Sequence, residues 1–134
     1  DKFRSNVEVI ELEVNDDGDI IKLPVSDETF IKKFYDFLTN IQEKSKELDS
    51  DNLDKLDIVG KVQADIDFHE YLKSEFIKLF GEGSYEAVFG KDILVGAEYV
   101  IEFIEACTPY IEKHTKKRIE KFSKYSADRR GSSI

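Results

Sequence analysis

The chain has 134 residues, 40% apolar and 37% charged, with a net charge of −9. That length fits one domain with a small core and a large share of surface. No apolar run reaches membrane-spanning length, no stretch reads as a secretory signal peptide, and an acidic surface repels phosphate, which disfavours general nucleic-acid binding.

Val7, Val9, Leu12 and Val14 are interleaved with Glu8, Glu11 and Glu13. The alternation slips at Val9-Ile10, where a bulge is expected. Asn15-Asp16-Asp17-Gly18-Asp19 is a strong turn signal, since Asn, Asp and Gly tolerate positive φ. Residues 20–25 supply a second short strand, and Pro24 restricts it to a sheet edge. The pattern predicts a β-hairpin over about 7–25, which must pack on helices or pair with another chain to be stable. Gly18 also invites a calcium-loop test. With Gly18 at loop position six, Pro24 falls where the bidentate Glu is required, so the hairpin turn is the better reading.

Ser26-Asp27-Glu28 supplies an N-cap and early negative charge. Phe30, Ile31, Phe34, Phe37, Leu38 and Ile41 then form the wide apolar face of an amphipathic helix. It fades into a polar stretch over 42–52, a surface loop or frayed end. A second helix is expected from about 53 to 80, with Ile58, Val62, Ile66, His69, Leu72, Phe76 and Phe80 as its stripe. Gly60 weakens its first part. Asp65, Asp67, His69 and Glu70 suggest a metal cluster on paper. On a helix, however, Asp65 and Asp67 point to nearly opposite sides, so a packed imidazole is the better reading of His69.

Gly81 and Gly83 end this helix, and Ser84 is expected to recap a short turn over 85–89 that Gly90 closes. The Gly81-Glu82-Gly83-Ser84 run is unsuited to phosphate, because a helix precedes it and Glu82 lies inside it. A further helix is expected from about 93, with Val100, Phe103, Ile104, Cys107 and Ile111 on its stripe. Pro109 removes a backbone donor, so the helix should kink or restart there and continue through Ile119 and Phe122 to about Tyr125. Residues 126–134 read as a flexible tail, which leaves 1–125 as a single helical domain. The expected core is Phe34, Phe37, Ile66, Leu72, Phe76, Phe103, Ile104 and Ile111. The expected fold class is mainly α: an N-terminal β-hairpin and a compact helical bundle with a Pro-kinked C-terminal helix.

Cys107 is the single cysteine, so no internal disulfide is possible, and its apolar neighbours make it a small buried hydrophobe. His114 has no nearby Ser or Cys nucleophile, and no motif supports a triad. The residues point to a binding module rather than an enzyme, with no catalytic residue, cofactor or metal. Among the aromatics, Tyr85, Phe89 and Tyr110 are the candidates for a partner-facing patch, the two tyrosines because they carry hydroxyls beside glycine or proline.

The charge is unevenly placed. From Lys113 onward, eight Lys or Arg against two acids give +6, which leaves −15 on residues 1–112. The basic end, with Lys116, Lys117 and Arg118 at its centre, is either a solvated helix terminus or an attachment site for an acidic partner, including a second copy.

The run Phe80-Gly81-Glu82-Gly83-Ser84-Tyr85-Glu86-Ala87-Val88-Phe89-Gly90, an apolar helix, then Cys107-Thr108-Pro109-Tyr110-Ile111-Glu112 resembles small tail assembly chaperones of long-tailed bacteriophages. So does a short hairpin followed by a Phe-rich helix. The resemblance implies a cofactor-free protein that binds the tape measure protein before the tail tube polymerises. It also implies self-association into oligomers or spirals and possible contact with the tail tube protein. The expected location is the host bacterial cytoplasm rather than the mature virion. The runner-up is a small acidic helical adaptor or regulator, of the anti-repressor or antitoxin kind, that binds a basic protein.

Overall fold

The computed structural model describes residues 1–132, without the side chains of Ser50 and of residues 126–132. Strands β1 (Ile10–Glu13) and β2 (Ile20–Leu23) precede helices α1 (Glu28–Lys46), α2 (Ser50–Asp54), α3 (Ile58–Phe80), α4 (Ser84–Phe89) and α5 (Ala97–Ser132). The chain is mainly α with one N-terminal hairpin, as its patterning predicts.

The two strands pair antiparallel, with Ile10 opposite Leu23 and Leu12 opposite Ile21. Asn15 organises the turn. Its Oδ1 accepts from the backbone N–H groups of Asp17 at 3.0 Å and Asp19 at 3.2 Å. Its Nδ2 donates to the Asp19 carboxylate at 2.8 Å and to the Ala87 carbonyl at 2.9 Å. One side chain therefore closes the turn and ties the hairpin to α4. Gly18 adopts the positive φ that the turn requires. The slip at Val9-Ile10 needs no bulge within the ladder, because β1 begins at Ile10. Ile10, Leu12 and Val14 then pack on the core together with buried Ile21, Leu23 and Val25.

Asp27 caps α1, its side chain accepting from Thr29 N–H at 2.9 Å. The α1 stripe is buried as its spacing requires: Phe30, Ile31, Phe34 and Phe37 fully, Leu38 and Ile41 in part. The helix extends to Lys46, into the polar stretch expected to be a surface loop or a frayed helix end. The single helix expected over 53–80 is two helices, α2 and α3. Asp57 makes the difference, since its carboxylate caps α3 by accepting from Gly60 N–H at 2.8 Å. An Asp directly before Ile58 was a readable N-cap signal.

The stripe on α3 is only half used. Leu72, Phe76 and Leu79 are buried, whereas Ile58, Val59 and Val62 are exposed and Ile66, expected in the core, is 41% exposed. Spacing marks an apolar face but not how far the neighbouring elements reach along it. Phe103 is also only partly buried, packed against the core.

Gly81 and Gly83 end α3 and lead into α4 with positive φ. The N-cap of α4 is Gly83, not Ser84; Ser84 is its first helical residue, and the buried hydroxyl has no partner among the described residues. Helix α5 begins at Ala97 rather than near 93. Val95 N–H donates to the Tyr85 hydroxyl at 2.9 Å, which holds the preceding segment as a loop. Pro109 does not break α5, which runs through it from Ala97 to Ser132. The proline ring is exposed, and Cys107 and Ile111 on either side are fully buried. Packing of those two residues offsets the missing N–H donor. The α5 backbone continues past Tyr125 to Ser132. Of the tail expected over 126–134, residues 133–134 and all side chains lie outside the described residues.

Candidate functional site

A cluster of rings links α3, α4 and α5. Phe76 is its hub, with ring centroids 4.7 Å from Phe80, 5.7 Å from Tyr85, 5.4 Å from Phe89 and 5.5 Å from Phe103. Two of the expected partner-facing residues belong to this cluster. Tyr85 is 2% exposed, a correction to its expected surface role, and its hydroxyl is satisfied internally by Val95 N–H. Phe89 is half-buried, 4.9 Å from the Tyr85 ring. Tyr85→Phe should therefore destabilise the fold by about 1–3 kcal/mol, because the Val95 N–H loses its acceptor in a part-buried site. Urea denaturation at neutral pH reads this out, and an unchanged midpoint would show that the bond carries no weight.

The other candidates lie on α5. Tyr110 is 41% exposed. Lys116 and Lys117 are exposed, and Arg118 pairs with Glu28 at 3.2 Å. The six expected residues therefore do not form one surface. Tyr85 is interior, Phe89 packs into the ring cluster, and the other four lie along the far part of a different helix.

His69 pairs along its own helix rather than with a ligand set. His69 Nδ1 donates to the Asp65 carbonyl one turn earlier at 2.7 Å and lies 3.6 Å from the Asp65 carboxylate. Among the described residues, no group of three or more His, Cys, Asp or Glu could hold a metal ion. Cys107 is fully buried, and desolvation pushes its thiol up to about 12, so the reactive thiolate is suppressed at neutral pH.

What sequence reasoning missed is a groove between helices. Phe37, Leu38 and Ile41 of α1, Phe68 and Leu72 of α3, and Val100, Ile101 and Ile104 of α5 line an open apolar trough of about 490 Å³. Its wall hydroxyls are engaged in their own helices: Thr108 Oγ1 donates to the Ile104 carbonyl at 2.7 Å, and Ser45 Oγ to the Gln42 carbonyl at 2.8 Å. Glu105 is the charged residue at the lining. Glu98, Ile101 and Glu105 fall at i, i+3 and i+7, so Glu98 lies on the same edge of α5 as Glu105, beyond Ile101. Ile101 is 51% exposed. An open trough with apolar walls and one carboxylate in its lining can hold an apolar ridge. The separate exposed stripe Ile58, Val62 and Ile66 on α3 adds a second unpartnered apolar surface.

No helix among the described residues is long and apolar enough to cross a membrane. No protein-family model, no curated protein and no solved structure matches the chain.

Proposed function

We propose that the protein is a non-enzymatic holding chaperone that seats an apolar helix of its partner in the α1/α3/α5 groove. The observation that carries this reading is the trough of about 490 Å³ with apolar walls contributed by three helices. Helix-in-groove recognition needs such a surface, because the ridge of one amphipathic helix must be taken out of water. The partner is proposed to be the tape measure protein of a long-tailed phage, on the strength of the resemblance carried by residues 80–112. Binding would take place in the bacterial host before the tail tube forms. A tape measure exposes helix over a great length, so many copies with modest individual contacts would cover it, and multivalency would supply the stability that one site lacks.

Co-expression tests this. The tape measure protein should move from the pellet to the soluble fraction with the wild-type chain and not with Ile101→Glu, which places a charge in the groove wall at a half-exposed position. Equal solubility with both would remove the groove as the seat. The adaptor reading makes the opposite prediction: a compact basic partner attracted by the acidic body would bind Ile101→Glu at least as well as wild type.

A further inference from the structure

We propose that the free edge of β2, with the cleft between it and α4, takes up an extended basic segment of a partner protein as a third strand. The hairpin is a two-stranded sheet, so β2 has one neighbour. Val14 N–H donates to the Asp19 carbonyl at 3.0 Å. Ladder bonds of an antiparallel pair recur at every second residue. Ile21 and Leu23 therefore turn their backbone groups towards β1, and Ile20 and Lys22 turn theirs outward. These outward groups bond to no other element among the described residues. A row of unpaired N–H and C=O groups is a template for a further strand.

The edge opens onto a cleft of about 890 Å³, a volume typical of ligand sites. Ile20, Ile21 and Lys22 line one side of it; among the described residues, none of β1 does. Ile21 is buried and the other two are exposed, so what all three share with the cleft is the backbone edge. The other side runs from Phe80 through α4 to Lys91, and the Asn15–Ala87 hydrogen bond of 2.9 Å joins the two sides at the turn. A strand laid along β2 sends alternate side chains to opposite faces. One set lies on the face of buried Ile21, where half-buried Phe80, Val88 and Phe89 offer apolar surface. The other set stands beside Ile20 and Lys22 in water.

Charge selects the occupant. The lining carries four carboxylates, Asp17, Asp19, Glu82 and Glu86, against two lysines, Lys22 and Lys91. Asn15 engages Asp19 at 2.8 Å, whereas the carboxylates of Asp17, Glu82 and Glu86 have no partner among the described residues. Glu11 and Glu13 stand opposite Lys22 and Ile20 on the exposed face of the hairpin. The occupant is therefore a segment with apolar residues at alternate positions and Lys or Arg between them. Antiparallel addition is the stabler pairing. The cleft shares no lining residue with the α1/α3/α5 groove, so this site stands whether or not that groove seats a helix.

Titration of the full chain with the synthetic peptide acetyl-TVKVKV-amide, followed by amide NMR, tests the site. Binding should be saturable and should slow hydrogen exchange at the Ile20 and Lys22 amides by at least about tenfold, because strand addition gives both an acceptor. In an antiparallel strand with its valines inward, the lysine N–H groups face β2. N-methylation of the lysines should therefore weaken binding at least about tenfold, and N-methylation of the valines should not. Replacing the peptide's lysines by glutamates, or Glu82 and Glu86 by Lys in the protein, should weaken it by a similar factor. Both positions are exposed, and unchanged circular dichroism confirms that the variant folds. No binding at millimolar peptide, unprotected Ile20 and Lys22 amides at saturation, or equal affinity for the two methylated peptides would each overturn strand addition. Equal affinity for the acidic peptide, or undiminished binding to the doubly reversed variant, would overturn the basic occupant.

Discussion

Phe76→Ala is expected to destabilise the fold by about 3–5 kcal/mol, the range for removing a large buried aromatic side chain. Phe76 is fully buried, and its ring lies within 6 Å of those of Phe80, Tyr85, Phe89 and Phe103. Its loss leaves a cavity where α3, α4 and α5 meet, and the surrounding rings, fixed on three helices, cannot collapse into it. For a domain of this length the thermal midpoint should fall by roughly 10–20 °C. Phe122→Ala is the matched control: the same substitution on an exposed ring should shift stability by less than about 0.5 kcal/mol. Thermal melts followed by circular dichroism compare the two. A Phe76→Ala loss below about 1 kcal/mol would contradict the packing of the ring cluster.

Alkaline pH should destabilise the protein through Cys107. Burial raises its thiol from 9.0 to about 12. Between those values the folded state holds a proton that the unfolded chain releases, so stability falls as pH rises. The contribution is fully present below about pH 9 and is lost towards pH 12, a total of about 4 kcal/mol at roughly 1.4 kcal/mol per pH unit. Urea midpoints for wild type and Cys107→Ala at pH 8, 10 and 11 isolate the effect. Other alkaline titrations act on both proteins, so the difference between them should shift steadily against wild type above about pH 9. A constant difference across that range would show that the thiol ionises as easily folded as unfolded. At pH 8 a thiol reagent should label the native chain far more slowly than the urea-unfolded one.

Much of the fold was legible because local chemistry and global packing agree in it. Asn15 and Gly18 suit the turn they make, Asp27 suits an N-cap, and the α1 stripe is buried at the spacing that announced it. The break between α2 and α3 was missed although Asp57 signalled it. The site was far less legible. Residues 37–41, 68–72 and 100–104 meet in the groove, yet nothing local to any of these segments marks them as one wall.

Element types, the hairpin, the glycine stop after Phe80 and the opposed charges of the body and the C-terminal end were all readable from short segments of the chain. These depend on φ preference, side-chain periodicity and formal charge, which each short segment carries with it. Tertiary structure alone decided which apolar residues became core. Tyr85 and Tyr110 look alike in sequence, but Val95 meets the hydroxyl of the first and the second is left half-exposed. Phe76 and Phe122 continue equally regular stripes, but only the first has helices packed against it. Burial is a property of the surroundings: an apolar face becomes core only where another element covers it, and along α3 and α5 that cover ends before the stripe does.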